Sequence, residues 1–359
     1  MKLKPVESRI KNYKSYALNQ CVMFNTSSRT RLAAILLKPL PLIMGSIGSY
    51  SKFKKDPKPD PFSPKKPRKP RSVQKPKGEL LHIHNRMLRL LKRVVVPDYM
   101  QAALAGTSYR KNAAMHVGGR CVATLDIRNF FVATNKSKVF NFFEMDLRCT
   151  GDIASIYSEL VTCNNSLPTG SPLSPLMSFY ANKRLFDELD MLARNSGYIF
   201  TCYIDDLTFS GNNISGSFLW DVERIVRRYG HEVAAGKTRL FKAGRPKHVT
   251  GVVLFDNEVS VPNSRYKKLR NINAALEGRA SMHDFSEAEL LNMKAGVLGE
   301  IAYLDPKKGF LARRAIDELK LRDLKTLGDG KLKISTSPPA SLSPGEVPPW
   351  QPLPVATPD

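Results

Sequence analysis

The sequence is poor in the residue patterns that mark disulfide-bonded and zinc-binding proteins. Its five cysteines are an odd number, and no two of them are spaced as Cys-x-x-Cys. We therefore expect reduced thiols, as in a cytosolic protein. The sequence also has no zinc-ligand cluster, no glycine-rich phosphate-binding loop and no internal repeat. These absences argue against zinc-finger, P-loop and repeat proteins.

Long apolar runs are equally scarce. The most apolar stretch, residues 32–49, is interrupted by Lys38, Pro39 and Pro41, and it begins too far from the N-terminus for a typical secretory signal. A membrane-spanning helix needs about 20 mostly apolar residues. We therefore expect a packed helix that breaks at the prolines, and no membrane partner.

Acidic residues are outnumbered, with 32 Asp and Glu against 56 Lys and Arg, which gives a formal net charge of +24. A charge of this size favours binding to phosphate backbones through the release of counterions. A protein of this charge is attracted to acidic proteins and membrane surfaces as well, so the net charge alone indicates only a polyanionic partner. The length of 359 residues suits one multi-lobed enzyme or two modest domains.

The most informative acidic residues are the neighbours Asp205 and Asp206. The runs on either side, 198–204 and 207–209, are rich in aromatic and β-branched residues, so they indicate two strands of a hairpin. The carboxylates then lie at or beside the turn. Asp-Asp at a turn is also ordinary turn chemistry. Two carboxylates held together in ionised form, however, favour a divalent cation.

A second feature strengthens the metal interpretation. The strand-like run 121–126 ends in Asp126, which is followed closely by Phe130 and Phe131. If its strand neighbours the hairpin in one sheet, three carboxylates converge and hold two Mg²⁺ ions about 3.5–4 Å apart. That arrangement activates an attacking hydroxyl and stabilises a leaving pyrophosphate.

These motifs together resemble those of reverse transcriptases. The sequence Tyr-Ile-Asp-Asp at 203–206 is similar to the family's tyrosine-x-Asp-Asp motif, and Asp126 with its trailing aromatics is similar to the first palm motif. Between them, residues 167–175 resemble the loop-to-helix motif against which nucleotide and template pack. The resemblance implies an α+β fold, a right-hand polymerase whose palm combines an antiparallel sheet with helices.

Two further segments resemble the retron branch of bacterial reverse transcriptases. One is Asn-Ala-Ala-Met-His at 112–116, ten residues before Asp126, and the other is Val-Thr-Gly at 249–251. The resemblance implies that these elements recognise the enzyme's own template RNA. The residues carried over are Asn112, His116, Val249, Thr250 and Gly251.

The same resemblance divides the chain into fingers at 50–120, palm at 121–261 and a helical thumb at 262–334, preceded by an N-terminal helical extension at 1–49. The proline-rich composition of residues 335–359 predicts a disordered tail. The fingers hairpin is expected at 50–53 and 71–76, joined by a basic, proline-rich loop. The thumb is expected to contain helices near 263–277, 285–304 and 308–326. An amphipathic palm helix at 218–229 is predicted to turn Trp220 and Ile225 inward.

The resemblance also implies roles for single residues. Asp126, Asp205, Asp206 and the backbone carbonyl of Ile127 hold the two Mg²⁺ ions, with the three aspartates as catalytic residues. Phe131 collides with a ribose 2′-hydroxyl and so selects deoxynucleotides, while Phe130 belongs to the core. The other residues expected to bind nucleotide are Arg71, Thr169, Gly170 and Lys237. The residues expected to grip the duplex backbone are Lys267, Lys268 and Arg270. Solvated surface charge is the alternative for the lysines.

One departure from the family pattern is Thr169, which follows Leu167 and Pro168 where the family usually has glutamine. Threonine is shorter and cannot make the same amide contacts, so nucleotide or template contact is expected to be weaker there. The three aspartates are unaffected, and activity is still expected.

The function implied is that of a retron reverse transcriptase, an RNA-directed DNA polymerase of the bacterial cytoplasm. It would copy part of a structured non-coding RNA into single-stranded DNA, leave a branched RNA–DNA product and act in antiphage defence. The partners expected are that RNA, the DNA product, dNTPs and an effector or toxin protein. The alternatives are another bacterial reverse transcriptase, defence-associated or intron-derived, and a non-catalytic RNA-binding scaffold.

Overall fold

The computed structural model describes residues 14–56, 70–279 and 285–328, with residues 321–328 described by their backbone alone. They form two compact units, one made of the described residues up to Arg245 and one of those from Pro246 onward. Within these ranges, no helix combines the length and the apolar character needed to cross a bilayer. The expectations for the basic loop after residue 56 and for the tail at 335–359 lie outside the described residues.

The first unit begins with helices and the predicted hairpin. The expected packed helix near residues 32–49 is two helices separated at Lys38 and Pro39, as predicted. The hairpin strands pair antiparallel, with Tyr50 opposite Pro76. The bounds of these elements are α1 Arg29–Leu36, α2 Leu40–Ser46, β1 Tyr50–Lys55, β2 Arg71–Pro76, α3 Gly78–Leu91 and α4 Tyr109–Ala114.

A four-stranded antiparallel sheet forms the centre of the first unit, in the order β4-β5-β3-β6. Its strands are β3 Cys121–Asp126, β4 Ile199–Tyr203, β5 Asp206–Gly211 and β6 Arg239–Phe241. The strand ending in Asp126 thus lies directly beside the hairpin strand that begins with Asp206, as the metal interpretation required. The helices around the sheet are α5 Phe130–Ala133, α6 Lys136–Asn141, α7 Gly151–Val161, α8 Ser174–Ala181, α9 Lys183–Asn195 and α10 Gly216–Arg228.

One face of this sheet is apolar and packs against α10. Phe209 of β5 stacks on Phe200 of β4 at 4.9 Å between ring centroids and meets Phe218 of α10 edge-on at 5.2 Å. Directly opposite residues of an antiparallel pair share a face, and the face alternates along each strand. The opposite face therefore carries the residues at alternate positions, which include Asp126 and Asp206.

The prediction for the palm helix was right for Ile225 and wrong for Trp220. Helix α10 buries Phe218, Val222 and Ile225, which are spaced as one helical stripe. Trp220 follows Phe218 by two residues, about 200° around the helix, and is 61% exposed. Its ring lies under the guanidinium of Arg224, 5.0 Å from the centroid.

The second unit combines a three-stranded antiparallel sheet with three helices around an apolar core. The three predicted thumb helices are confirmed as helices, and Ser286 begins the middle one with a capping box to Glu289.

The two units divide at Pro246, whereas the sequence-based boundary between palm and thumb is residue 262. The functional division into palm and thumb stays a prediction. The elements are β7 Lys247–Val249, β8 Val252–Phe255, β9 Glu258–Ser260, α11 Asn263–Leu276, α12 Glu287–Leu304 and α13 Gly309–Gly328. Helices and antiparallel sheets together confirm the α+β class.

Candidate active site on the four-stranded sheet

A two-residue turn presents the aspartate doublet at the end of the sheet. Tyr203 and Asp206 are directly paired across β4 and β5, which leaves Ile204 and Asp205 as the turn. Ile204 has a φ of +62°, a conformation that costs a β-branched residue on the order of 1–3 kcal/mol. The backbone N–H of Ile127 donates to the carbonyl of Asp205 at 2.9 Å. This bond ties the turn to the end of β3 and supports its conformation.

The third aspartate lies beside the doublet. Asp126 is directly opposite Asp206 in the β3–β5 pair, where opposed Cα atoms are about 4.5–5.5 Å apart. On the other side, the N–H of Ala234 donates to the carbonyl of Asp126 at 2.7 Å. The segment after α10 therefore borders the site, and it brings Lys237 with it. The Nζ of Lys237 lies 2.8 Å from Oδ2 of Asp126.

The three carboxylates affect one another electrostatically. Burial raises the pKa of Asp206 to about 6, and the charges of Asp205 and Asp126 add to this effect, while Lys237 opposes it. Burial and the charge of Asp126 also raise the pKa of Asp205, and Lys237 and Arg71 lower it. The site is thus a partly buried concentration of negative charge, which a cation would relieve.

The donor chemistry of these aspartates fits Mg²⁺, which prefers oxygen ligands and commonly takes one or two carboxylates together with substrate phosphates. Among the residues that the structure describes, no three His, Cys, Asp or Glu side chains are arranged as a ready-made ion cage. The structure brings the three aspartates together on one sheet edge, with Lys237 against Asp126. Ile127 follows Asp126 directly, and its role as a ligand stays a prediction.

The two phenylalanines after Asp126 differ in their exposure. Phe130 is buried and packs edge-on against Phe186 at 6.0 Å between centroids, which confirms it as core. Phe131 is only partly buried. Its carbonyl accepts a hydrogen bond from the N–H of Leu167 at 3.2 Å. Phe131 and the loop at 167–175 are therefore neighbours, as a shared nucleotide pocket requires.

The loop at 167–175 is held against strand β2. The N–H of Gly170 donates to the carbonyl of Gln74 at 3.0 Å. A Cβ at Gly170 would lie 2.8 Å from that carbonyl oxygen, so only glycine allows this approach. The Oγ1 of Thr169 donates to the carbonyl of Ser72 at 2.9 Å, and its N–H donates to Oε1 of Gln74 at 3.3 Å. Thr169 is thus turned onto β2, and the nearby amide side chain is that of Gln74.

Gln74 was missed in the sequence analysis, because nothing in its local pattern distinguishes it from the other polar residues of β2. Arg71, at the start of the same strand, is exposed. Its charge lowers the pKa of Asp205, which places it in the electrostatic environment of the carboxylates. Its contact with nucleotide stays a prediction.

The segment at 112–116 requires a correction. Asn112 and His116 were expected to recognise RNA, but their side chains are 0% and 1% exposed. His116 is hydrogen-bonded within the protein, to Ser210 and Thr201. Direct contact between these two side chains and RNA is therefore not compatible with this structure. The local sequence did not reveal the burial, because it depends on how α4 packs against β4.

The remaining RNA-binding candidates lie in the second unit. Val249 ends β7 and is buried, whereas Thr250 and Gly251 form the turn to β8, with φ values of +45° and +83°. Only Val249 of this segment therefore belongs to a strand. On α11, Lys267 and Arg270 are exposed and Lys268 is half-buried. Their contact with RNA stays a prediction.

Comparison with known proteins gives several relatives of one kind. No protein-family model matches the sequence. The retron Mx65 reverse transcriptase of Myxococcus xanthus is 31% identical over 263 residues, 67% of this chain and 60% of the relative. The retron Se72 reverse transcriptase of Salmonella heidelberg is 25% identical over 289 residues, 74% of this chain and 75% of the relative. The retron Ec86 reverse transcriptase of Escherichia coli is 26% identical over 205 residues, 55% of this chain and 63% of the relative.

The chain therefore spans only about three fifths of the length of the Myxococcus Mx65 relative. Among solved structures, it is similar to a foamy viral protease-reverse transcriptase in complex with double-stranded DNA. The TM-score is 0.45 and the identity 16%, over 76% of this chain and 39% of that chain.

Proposed function

The chain belongs to the retron-type reverse transcriptase family, and from this premise we propose that it is an RNA-directed DNA polymerase. The observation that carries the proposal is the register of the central sheet, which sets Asp126 directly opposite Asp206 with Asp205 in the adjoining turn. Three carboxylates on one edge are the ligand set that a nucleotidyl transfer site needs.

Asp126, Asp205 and Asp206 are the residues that would hold Mg²⁺. When bound, the metal supplies Lewis acidity toward the primer hydroxyl and neutralises charge on the departing pyrophosphate. The protein's own contribution is to hold the carboxylates at one edge. The hydrogen bond from Ile127 to the turn and that from Ala234 to Asp126 serve this purpose.

The neighbouring surface has the composition of a nucleotide pocket. Phe131 is partly exposed, lies next to the loop at 167–175 and would exclude a ribose 2′-hydroxyl by steric collision. Thr169 and Gly170 join this surface to β2. Arg71 and Lys237 supply positive charge for the triphosphate, and both already lower the pKa of Asp205.

We further propose that the template is a structured non-coding RNA and that the product is single-stranded DNA, branched from that RNA and used in antiphage defence together with an effector protein. The retron names of the curated relatives support this choice. The exposed Lys267 and Arg270 of α11 fit a role in gripping the duplex backbone. The cysteines are free thiols, which fits a cytoplasmic protein.

Primer extension tests the polymerase itself. The purified protein, an RNA template with an annealed DNA primer, dNTPs and Mg²⁺ should give DNA, and Asp205→Asn combined with Asp206→Asn should abolish it. Asp221→Asn, on the outer surface of α10, is the matched control and should retain wild-type extension. Full activity of the double variant would refute the proposed active site.

Sequencing of nucleic acid that co-purifies with the protein tests the retron assignment. A branched RNA–DNA molecule is the expected result. An unbranched DNA copy would instead identify another kind of bacterial reverse transcriptase, and RNA without any DNA would favour the non-catalytic scaffold.

A further inference from the structure

One buried histidine connects the two strands of the aspartate hairpin. Nδ1 of His116 lies 2.7 Å from Oγ of Ser210 on β5, and Nε2 lies 2.8 Å from Oγ1 of Thr201 on β4. All three side chains are 1% exposed or less. Both ring nitrogens thus have buried hydroxyl partners, one on each strand.

The histidine lies on the same face of the sheet as the proposed catalytic carboxylates. Ser210 and Asp206 are four residues apart on β5, so their side chains point to the same face. Thr201 is directly opposite Thr208, which lies between them on that face. At about 3.4 Å per residue, the histidine contact lies roughly 14 Å along β5 from the carboxylate of Asp206.

The chain after His116 leads directly into the strand of the third aspartate. Gly118 has a φ of +86°, and a Cβ at Gly119 would lie 2.8 Å from Cβ of Ser210. These two glycines let the backbone turn closely over β5 before β3 begins at Cys121, which is opposite Gly211. His116 is therefore joined to β3 through the chain, and to β4 and β5 through hydrogen bonds.

The hydrogen bonds of His116 to Ser210 and Thr201 are compatible with a neutral imidazole ring held in one position. A neutral imidazole donates from one nitrogen and accepts at the other, and serine and threonine hydroxyls can complement either tautomer. Burial lowers the pKa of His116 to about 3. The ring therefore stays neutral throughout the physiological pH range and adds no charge to the face that carries the aspartates.

We propose that His116 is a positioning residue of the polymerase, which keeps β3, β4 and β5 in the alignment that sets Asp126 beside Asp205 and Asp206. The inference rests on the proposed polymerase function. It gives the Asn-Ala-Ala-Met-His segment an internal role in place of RNA contact.

Conservative variants separate the two hydrogen bonds. Asparagine places a polar atom near the position of Nδ1 and glutamine near that of Nε2. His116→Asn therefore retains the partner on β5, and His116→Gln retains the partner on β4. Ser210→Ala and Thr201→Val remove the same bonds from the other side. His82→Asn, at an exposed histidine of α3 with no part in the hairpin, is the control.

Steady-state primer extension on a generic RNA template measures positioning. We expect His116→Gln and Ser210→Ala to lower kcat at least tenfold with the KM for dNTP within twofold of wild type, because β5 carries Asp206. Combining them should lower kcat little further. Hydrogen exchange of the β4 and β5 amides should become faster, and RNA affinity, measured by fluorescence anisotropy, should stay within twofold. His82→Asn should match wild type in all three measurements.

Two results would overturn the inference. One is wild-type kcat in folded His116→Gln and Ser210→Ala, and the other is a loss of RNA affinity at unchanged kcat, which would restore the RNA-contact role. If the His116 variants do not fold, the kcat values of Ser210→Ala and Thr201→Val test the inference instead. An inactive wild-type protein would refute the polymerase proposal itself, whereas an active wild type with fully active variants would refute only the role of His116.

Discussion

The ammonium of Lys237 lies 2.8 Å from the Oδ2 atom of Asp126, so it contacts an oxygen that the proposed active site needs for a metal ion. The lysine side chain is 61% exposed, while that of Asp126 is only 20% exposed. An ion pair with so exposed a partner is worth about 0–1 kcal/mol. Lys237 is therefore a counterion that is easily displaced.

Replacing this lysine should strengthen metal binding in the absence of nucleotide. We expect Lys237→Gln to bind Mn²⁺ about two- to fivefold more tightly, since the metal no longer competes with an ion pair of that strength. The measurement is electron paramagnetic resonance of free Mn²⁺ during titration. Asp126→Asn should weaken the same binding. Lys136→Gln, which breaks the surface ion pair with Glu159, is the matched control.

Unchanged Mn²⁺ affinity in Lys237→Gln would show that the lysine does not compete for the site. Unchanged affinity in Asp126→Asn would show that the ion binds elsewhere.

Protonation of His84 should make the fold sensitive to acid. Its ring is buried between Ser171 and the carbonyl of Leu160, and burial lowers the pKa of His84 from 6.5 to about 4. The imidazole of His84 therefore binds a proton more readily in the unfolded chain than in the folded protein. Below pH 6.5 this proton binding favours the unfolded state, so the free energy of unfolding falls as the pH decreases from 6.5 toward 4. Between pH 7.5 and pH 5 the loss is about 2 kcal/mol.

Urea unfolding at several pH values measures this effect. His84→Asn should be less stable at pH 7.5, but its free energy of unfolding should change less between pH 7.5 and pH 5 than that of the wild type. His82→Asn should follow the wild-type curve. Equal pH dependence in His84→Asn and wild type would remove His84 as the cause.

Shortening Phe131 should relax the choice of sugar. Phe131 is partly exposed and follows Asp126 by five residues, and Phe131→Ala removes the bulk that a 2′-hydroxyl is proposed to meet. We expect the ratio of kcat/KM for a dNTP to that for the matching ribonucleotide to fall about 10- to 100-fold, on the order of 1.4–2.7 kcal/mol. Val132→Ala, at the exposed neighbouring residue of α5, should leave the ratio unchanged. An unaltered ratio in Phe131→Ala would assign sugar selection to another residue.

The contact between Thr169 and β2 should affect nucleotide binding. Thr169→Val removes the hydroxyl that donates to the carbonyl of Ser72, and Gln74→Ala removes the amide oxygen that accepts from the N–H of Thr169. Each hydrogen bond contributes about 0.5–1.5 kcal/mol, so we expect a rise of about two- to tenfold in the KM for dNTP with each variant.

The double variant tests whether the two contacts act together. Because they hold one loop, the combined effect should be smaller than the product of the single effects. Lys75→Ala, at the exposed residue next to Gln74, is the control and should leave the KM for dNTP unchanged. Independent effects of Thr169→Val and Gln74→Ala would contradict a common role in positioning the loop.

Much of the local structure was predictable from residue type and spacing. The hairpin follows from the aromatic and β-branched runs on both sides of Asp205 and Asp206, although the turn consists of Ile204 and Asp205 and Asp206 already belongs to β5. The three helices of the second unit follow from apolar spacing, with Ser286 as a recognisable start signal. Trp220 was misplaced because size and hydrophobicity suggested burial, whereas its angular position on α10 put it outside the buried stripe.

The sequence alone determined which residues carry acid groups at strand ends and which segments form strands and helices, because these properties depend on neighbours along the chain. Only the tertiary structure decided that Asp126 lies opposite Asp206, that Lys237 reaches Asp126, and that His116 is buried against β4 and β5. Each of these contacts joins residues more than 75 positions apart. Their geometry depends on strand order and register, which are set by the packing of the whole core and not by local pattern.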